Sequence, residues 1–154
     1  MSKLTITEPR IEGAIENMLF YHLSRAYHQI GHQFHEAVRD NGLTLAEWRI
    51  LANLHGEISV SYNDLAARTF LDPQSLADAL TSLCEEGLCT LANSGDSSFA
   101  TGTTKGTLRV QQLFDLGHEM EKLALRNANP SEREELMGRL KMIVSNTEIV
   151  PSTS

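Results

Sequence analysis

Several features of exported and membrane proteins are scarce or missing in this sequence of 154 residues. Its two cysteines, Cys84 and Cys89, are too few for a disulfide framework and favour reduced thiols. No stretch approaches the roughly 18 apolar residues that a membrane span needs. Residues 1–10 are polar and lack the apolar run of a signal peptide. We therefore expect a cytoplasmic protein.

Motifs of catalysis are missing as well. The sequence contains no nucleophile elbow, phosphate loop, zinc-protease motif or dinucleotide-binding fingerprint. It offers no positive case for an enzyme. We therefore expect no catalytic residues, no cofactor and no metal site.

Positive charge is scarce in the middle of the chain. The net charge is −7, and between residues 61 and 105 two cations, Arg68 and Lys105, stand against six carboxylates. A protein that binds nucleic acid needs a local basic surface to neutralise phosphates. Binding of nucleic acid by this segment would therefore be weak or sensitive to salt.

The sequence does contain clear signals for helices. With 41% hydrophobic residues it can form one domain with a core, or one domain with helical arms. After a flexible arm at 1–10, residues 11–40 lack proline and repeat apolar residues at helical spacing, which predicts a long helix. Its apolar arc is wide, so we expect it to pack against more than one neighbour.

Start and stop signals predict the remaining elements. Thr44 and Ser61 open capping motifs, and Asp72 followed by Pro73 is typical of a helix start. The predicted elements are helices over 45–54, 62–68 and 73–86, strands over 88–92 and 99–103, and helices over 104–127 and 130–145. We assign the start of the last helix to a capping box of Ser131 and Glu134 and expect residues 146–154 to fray.

This order of elements resembles the MarR (multiple antibiotic resistance regulator) family of bacterial transcription regulators. The matching residues are Gly42-Leu43-Thr44-Leu45, Trp48-Arg49-Ile50-Leu51, Leu65-Ala66, Leu83 with Gly87-Leu88, and Thr103 with Gly106. No single piece is specific, but the ordered set is, and it covers roughly residues 15–145. The resemblance implies a mainly α fold with a small β-hairpin wing. It implies a single domain over 11–145, with a winged helix-turn-helix lobe over 42–103 and dimerisation helices over 11–40 and 104–145.

The resemblance also implies a function. Family members are homodimers whose two recognition helices enter successive major grooves of double-stranded DNA. A small aromatic acid or phenol in a crevice between the dimer helices and the lobe weakens that binding. On this basis the expected DNA-binding residues are Ser61, Asn63, Arg68, Gln74, Ser75, Asp78, Thr81, Ser82 and Ser98. The expected crevice residues are Tyr27, His28, His32 and Trp48.

The sequence departs from the family pattern where DNA should bind. Family wings carry arginine two residues after an aspartate, whereas here Ser98 follows Asp96. Asp78 on the recognition helix can accept a hydrogen bond only from a cytosine amino group and otherwise repels the duplex. An alternative interpretation is therefore a ligand-binding or protein-interaction module that has lost DNA binding. A third, an enzyme on this scaffold, rests only on a histidine cluster.

That cluster and its aromatic neighbours have more than one interpretation. His28, His32 and His35 fall within about 60° of arc on the first helix. They can form a polar flank at a dimer interface, line the crevice, or bind a metal ion. Tyr27 and Trp48 can line an aromatic pocket or pack in the core.

The two cysteines also allow two interpretations. Cys84 and Cys89 lie five residues apart, across the end of a helix and the start of a strand. They can be inert packing residues or a redox pair. Because the adjacent Glu85 and Glu86 disfavour a thiolate, the inert interpretation is the stronger one.

Overall fold

The computed structural model describes residues 15–56, 58–95 and 97–147. The predicted arm at 1–10, the start of the predicted first helix and residues 148–154 lie outside these ranges. The elements are a 3₁₀ turn at Ile15–Asn17, α1 Leu19–Asp40, α2 Leu45–Asn53, β1 Ser59–Ser61, α3 Tyr62–Thr69, α4 Pro73–Glu85, β2 Cys89–Ser94, β3 Ser97–Gly102, α5 Thr104–Ala124 and α6 Pro130–Thr147. The predicted fold class, mainly α with a small hairpin, is confirmed. The chain forms two compact units that meet at Gly117 and His118.

The first helix differs from its prediction at the N-terminal end. A 3₁₀ turn precedes it, and Met18 has an extended backbone (φ −92°, ψ 127°) and provides no side-chain cap. The predicted helix over 11–40 is therefore interrupted at Met18, where the spacing of apolar residues gave no sign of a break. At its other end α1 stops at Asn41, and Gly42 turns the chain with a φ of 72°.

The helix-turn-helix begins as the capping signals predict. The capping box of Thr44 and Glu47 is formed in α2, the Ser61 side chain caps α3, and the Asp72 side chain caps α4 ahead of Pro73. Between α3 and α4 the chain turns at Phe70, which has a left-handed backbone (φ 56°). Each N-cap satisfies amide groups that the first helical turn leaves unpaired.

A three-stranded antiparallel sheet forms the wing, in the order β1-β3-β2. The hairpin strands are slightly longer than predicted, because Ser94 pairs with Ser97 around a turn at Gly95. The short strand β1 was not predicted. It pairs with β3 through Val60 and Ala100, and three residues are too few to show a period of two.

The core of the first unit lies where the helix-turn-helix meets the wing. Its fully buried side chains are mainly leucine and isoleucine from α2, α3 and α4, joined by Leu88 and by Val110 of α5. Two glycines permit the closest approaches. A Cβ atom at Gly102 would overlap the carbonyl oxygen of Leu54, and one at Gly106 would overlap that of Leu88. Glycine is therefore required where the wing joins α5.

The second unit contains the end of α5 and the helix α6. Asn129 caps α6 by accepting from the Glu132 backbone amide (3.0 Å), and the Glu132 side chain accepts from the Asn129 amide (2.7 Å). The predicted capping box of Ser131 and Glu134 is thus wrong by two positions. In addition, α5 ends at Ala124 rather than near 127, and α6 continues to Thr147, past the predicted start of the tail at 146. No helix within the described ranges is long and apolar enough to cross a membrane.

Candidate nucleic-acid interface and ligand crevice

The outer face of α4 carries the residues predicted to contact bases. Gln74, Asp78 and Thr81 are exposed, and Ser75 is half-buried. The Gln74 side-chain amide donates to the Asp78 carboxylate (2.8 Å), one helical turn away, and the Thr81 hydroxyl donates to the carbonyl of Ala77 (2.9 Å). The charge of Asp78 therefore occupies the donor with which Gln74 would recognise a base.

The N-terminus of α4 is occupied by its own cap. The Ser75 hydroxyl and backbone amide donate to the Asp72 carboxylate (2.6 and 2.9 Å), and these hydrogen bonds hold the pKa of Asp72 below its ordinary value. Amides at a helix N-terminus are a favourable place for a phosphate. Here a carboxylate already fills that position, so this end of α4 is less available to DNA phosphates than an uncharged cap would leave it.

Ser82 has a different place from its predicted one. It is half-buried, and its hydroxyl donates to Glu47 of α2 (2.7 Å) instead of facing outward with Thr81. Burial alone would raise the pKa of Glu47, but hydrogen bonds from the Thr44 amide and the Ser82 hydroxyl outweigh burial and lower it. We therefore treat Ser82 as a residue that fixes α4 against α2.

A polar cavity of about 230 Å³ lies between the start of α3 and the wing. It is lined by Ser61, Tyr62, Asn63, Ser97 and Ser98. The structure thus brings together three of the predicted DNA-binding residues, Ser61, Asn63 and Ser98, from β1, α3 and β3. None of the lining side chains is charged at neutral pH.

The hydroxyl groups of Ser61 and Ser98 at this cavity already have partners within the chain. Ser98 donates to Asn93 across the hairpin (2.8 Å), and Ser61 donates to Asp64 (2.7 Å). Arg68, the predicted phosphate contact, is exposed on α3 and takes part in none of the salt bridges found among the described residues. Its guanidinium is therefore free to meet an anion.

A cavity of about 440 Å³ lies between α1 and α2 in the first unit, where the resemblance places the ligand crevice. Tyr27 and Trp48 line it, together with Leu23, Ala26, Ile30, Gly31, Phe34, His35, Leu45 and Arg49. Trp48 also packs edge-to-face against Phe34 and Phe114, with ring centroids 5.1 and 5.2 Å apart. The two interpretations of Trp48, core packing and pocket lining, therefore both hold.

His28 and His32 are not among the residues that line this crevice, whereas His35 is. Tyr27, Gly31 and His35 follow one another at steps of four along α1, so they lie on one face of the helix. The Tyr27 hydroxyl is 3.5 Å from His35 Nε2. His32 is exposed and lies 3.7 Å from Glu36. A glycine spaced four residues from both an aromatic residue and a histidine is the sequence signal that could have selected His35.

The histidines of α1 do not gather into a metal site. Within the described ranges, no group of three or more histidine, cysteine, aspartate or glutamate side chains is placed to hold a metal ion. His28 and His32 therefore remain exposed polar residues of α1.

Helix α2 connects the crevice to the helix-turn-helix. Leu45, Trp48 and Arg49 of this helix line the crevice. On the same helix, Glu47 accepts from Ser82 of α4, and Arg49 donates to the carbonyl of Thr69 at the end of α3 (3.4 Å). A shift of α2 would thus move its hydrogen-bond partners in both α3 and α4.

The two cysteines are close together. Their sulfur atoms are 3.2 Å apart, with Cys89 buried and Cys84 half-buried. Burial raises the pKa of Cys89 to about 12, and the contact with Cys84 adds to the effect. A thiol with such a pKa is not a thiolate at neutral pH, which favours the inert interpretation.

The helix-turn-helix of α3 and α4, followed directly by the β2–β3 hairpin, defines a winged helix-turn-helix protein. Residues 41–97 match the model of the MarR family. The resemblance to this family is confirmed, and the fold is that of its transcriptional regulators. A search of curated protein sequences gives no match.

Solved structures share this fold over most of the chain. A MarR-family regulator from Silicibacter pomeroyi is 19% identical, with a TM-score of 0.83 over 90% of this chain and 95% of that one. CouR from Rhodococcus jostii RHA1, bound to p-coumaroyl-CoA, is 17% identical, with a TM-score of 0.76 over 90% and 100%. Bordetella bronchiseptica BpsR, whose DNA binding is regulated by 6-hydroxynicotinic acid, is 20% identical, with a TM-score of 0.68 over 81% and 97%.

Proposed function

We propose that this chain is a MarR-type transcriptional regulator in the cytoplasm. It acts as a homodimer, binds double-stranded DNA weakly through α4 and the wing, and releases it when a small aromatic acid or phenol enters the crevice. The observation that carries the proposal is the pairing of an exposed polar face on α4 with an aromatic crevice that α2 connects to that helix. Relatives of the same fold include one whose DNA binding responds to an aromatic acid.

Base recognition in this proposal belongs to Gln74, Ser75 and Thr81. Asp78 lowers affinity in two ways, because it repels phosphates and because it holds the Gln74 amide. The hydroxyl groups of Ser61 and Ser98 and the side-chain amide of Asn63 contact the DNA backbone in this proposal. Arg68 supplies the charged contact with a phosphate.

The test uses fluorescence anisotropy with duplexes from the neighbourhood of the gene, at low salt. Asp78→Ser should tighten binding by about tenfold, because it removes a repulsion and frees Gln74. Asp40→Ser, at the end of α1, removes the same charge and is the matched control. Arg68→Ala should weaken binding to all sequences, whereas Gln74→Ala should change the sequence preference. Unchanged affinity in both Asp78→Ser and Arg68→Ala would contradict this interface.

The exposed apolar side chains of α1, α5 and α6 support the homodimer. They include Leu19, Phe20, Leu23 and Ile30 of α1, Leu116 and Leu123 of α5, and Leu136, Met137, Met142 and Val144 of α6. A monomer seldom leaves so much apolar surface in contact with water. Analytical ultracentrifugation should find a dimer at micromolar concentration, and deletion of 129–154 should cause aggregation or unfolding. A soluble monomer in either experiment would contradict the proposal.

The crevice suits a small planar acid. Its volume lies within the range of ligand pockets, and its walls are aromatic and aliphatic with few polar groups. Arg49 reaches it with a guanidinium that makes a single long hydrogen bond, so it can also meet a carboxylate. Titration calorimetry with benzoate-like acids should show binding that His35→Ala or Tyr27→Ala weakens and His28→Ala leaves unchanged. Equal weakening by His28→Ala would remove the crevice as the site.

A second candidate function is a ligand-binding module without DNA binding. The specific observation in its favour is the negative charge at the recognition helix, where Asp72 and Asp78 are both exposed and the wing sequence has no cation. This candidate predicts ligand binding in the crevice with no DNA shift at low salt, even in Asp78→Ser. That combination of results would select it over the regulator.

A further inference from the structure

A second cavity, of about 400 Å³, lies where the end of α4 meets the start of α5. It shares no lining residue with the aromatic crevice. Its walls come from the α1–α2 turn, the α4–β2 turn and the first turns of α5. The cavity lies at the C-terminal end of α4, whereas Gln74 lies at its N-terminal end. It is therefore separate from the residues predicted to contact bases.

The lining of the cavity holds two cations, Lys105 and Arg109, and one carboxylate, Glu86, so it carries a net positive charge in an acidic chain. Lys105 and Arg109 lie four residues apart on α5 and both line it, with Gln112 one turn further on. Like charges at this spacing repel one another on a helix. An anion placed between them would relieve that repulsion, so the pair favours an anionic ligand.

Arg109 has no partner within the part of the chain that the structure describes. No hydrogen bond or salt bridge involves its guanidinium, which lies over Gly42. Lys105 donates to the backbone carbonyl of Glu86 (2.5 Å) and has further N–H donors for a ligand, and none of the salt bridges found among the described residues involves the Glu86 carboxylate. Although carboxylates outnumber cations by 20 to 13 in the sequence, the charge of Arg109 is not neutralised.

The remaining walls restrict the ligand further. Leu108, which is 68% exposed, provides most of the aliphatic surface, because Leu88 is only 1% exposed, and none of the lining residues is aromatic. An arginine presents a planar fork of donors that matches a carboxylate with two parallel hydrogen bonds. We propose that this cavity is a second ligand site, which binds a small aliphatic carboxylic acid with its carboxylate on Arg109 and Lys105 and its chain against the leucines.

The experiment titrates the full chain with hexanoate by calorimetry. Hexanol has the same apolar body without the carboxylate, and inorganic phosphate has the oxyanion without the body. Hexanoate should bind, and both comparison compounds should bind at least about tenfold more weakly, because a hydrogen bond to a charged group is worth that much or more. Equal binding of hexanol would contradict a role for the two cations, and equal binding of phosphate would contradict a role for the leucines.

Variants locate the site. Arg109→Gln should weaken hexanoate binding by about tenfold or more. Arg126→Gln removes the same charge elsewhere on the chain, and His35→Ala alters the aromatic crevice. Both should bind hexanoate as the unmodified protein does. Loss of binding in His35→Ala, or unchanged binding in Arg109→Gln, would overturn the proposal.

A measurement on the unmodified protein avoids dependence on the folding of a variant. In two-dimensional NMR spectra, hexanoate should shift the Arg109 side-chain N–H and the Gln112 side-chain amide, and it should leave the Trp48 indole N–H in place. A shift of the Trp48 signal with none at Arg109 would assign the acid to the crevice and refute the second site. The outcome is independent of DNA binding.

Discussion

The contact between Glu47 and Ser82 predicts a pH-dependent loss of stability on Glu47→Gln. Glu47 is 8% exposed, and its two oxygens accept from the Thr44 amide and the Ser82 hydroxyl, each at 2.7 Å. Glutamine has one acceptor oxygen and one donor amide, so its oxygen can accept from the Thr44 amide while the Ser82 hydroxyl turns to accept from the new amide, and the charged acceptor is lost. A hydrogen bond to a charged group contributes about 1.5–3 kcal/mol, and one between neutral groups about 0.5–1.5 kcal/mol. The free energy of unfolding at pH 7 should therefore fall by about 1–2 kcal/mol.

The pH dependence has a definite sign. The folded-state pKa of Glu47 is lowered from its ordinary value of 4.5. Such a carboxylate stabilises the folded protein above the unfolded-state pKa, and the stabilisation is lost as the pH falls through the folded-state pKa. The difference between the unmodified protein and Glu47→Gln should be full at pH 7 and should shrink below about pH 4.5.

Urea denaturation followed by circular dichroism measures both quantities. Glu134→Gln on the exposed face of α6 is the control and should change stability by less than about 0.5 kcal/mol. A double-mutant cycle with Ser82→Ala should give a coupling energy of about 1 kcal/mol or more, because the two side chains are in contact. A loss at pH 7 no greater than in Glu134→Gln, or a loss that is unchanged at pH 4, would refute the reasoning.

Three further predictions concern the backbone, and urea denaturation tests each of them. Phe70→Gly should stabilise the protein by about 1 kcal/mol, because a left-handed backbone costs a non-glycine residue about that much; a loss of stability would contradict this. Gly106→Ala should destabilise the protein by about 2 kcal/mol or more, because the new Cβ atom would meet the backbone carbonyl of Leu88. Gly138→Ala is the control: it has open space around it in α6 and should stabilise the protein by up to about 1 kcal/mol. Equal effects of the two substitutions would refute the argument. Asn129→Ala should cost about 1 kcal/mol and Ser131→Ala much less, and the reverse order would restore the predicted capping box.

Local signals predicted the helix starts well and the less regular features poorly. Thr44, Ser61 and Asp72 carry their signals in three or four consecutive residues, because a cap is made within one helical turn. Strand β1 depends on pairing with β3, some 40 residues later in the chain, and no local pattern encodes it. The prediction placed the cap of α6 at Ser131, although Pro130 at the first helical position is a local signal for Asn129, as Pro73 is for Asp72.

The candidate sites were predictable in composition and less so in detail. Tyr27 and Trp48 line the cavity between α1 and α2, and the Tyr27 side chain is 60% exposed there. His28 and His32 were assigned to the crevice from the resemblance, and helical spacing places His35 on the same arc, so the sequence could not rank the three. The sequence gives no sign of the role of Arg109, because only the fold shows that it forms no salt bridge with a carboxylate of the described ranges.

The hydrogen bonds of the candidate DNA-binding face bear on how strongly it can bind. Gln74 already donates to Asp78, Ser75 to Asp72, and Ser98 to Asn93. Each contact with a base or phosphate would therefore replace an internal hydrogen bond, and an exchange of that kind contributes little free energy.

The affinity for DNA would then depend on the few free cations. With one phosphate contact from Arg68 in each subunit, the slope of log K against log salt is about −2 for a dimer. We therefore expect DNA binding that is weak but only mildly dependent on salt, and a slope steeper than about −5 would show that cations outside this face take part.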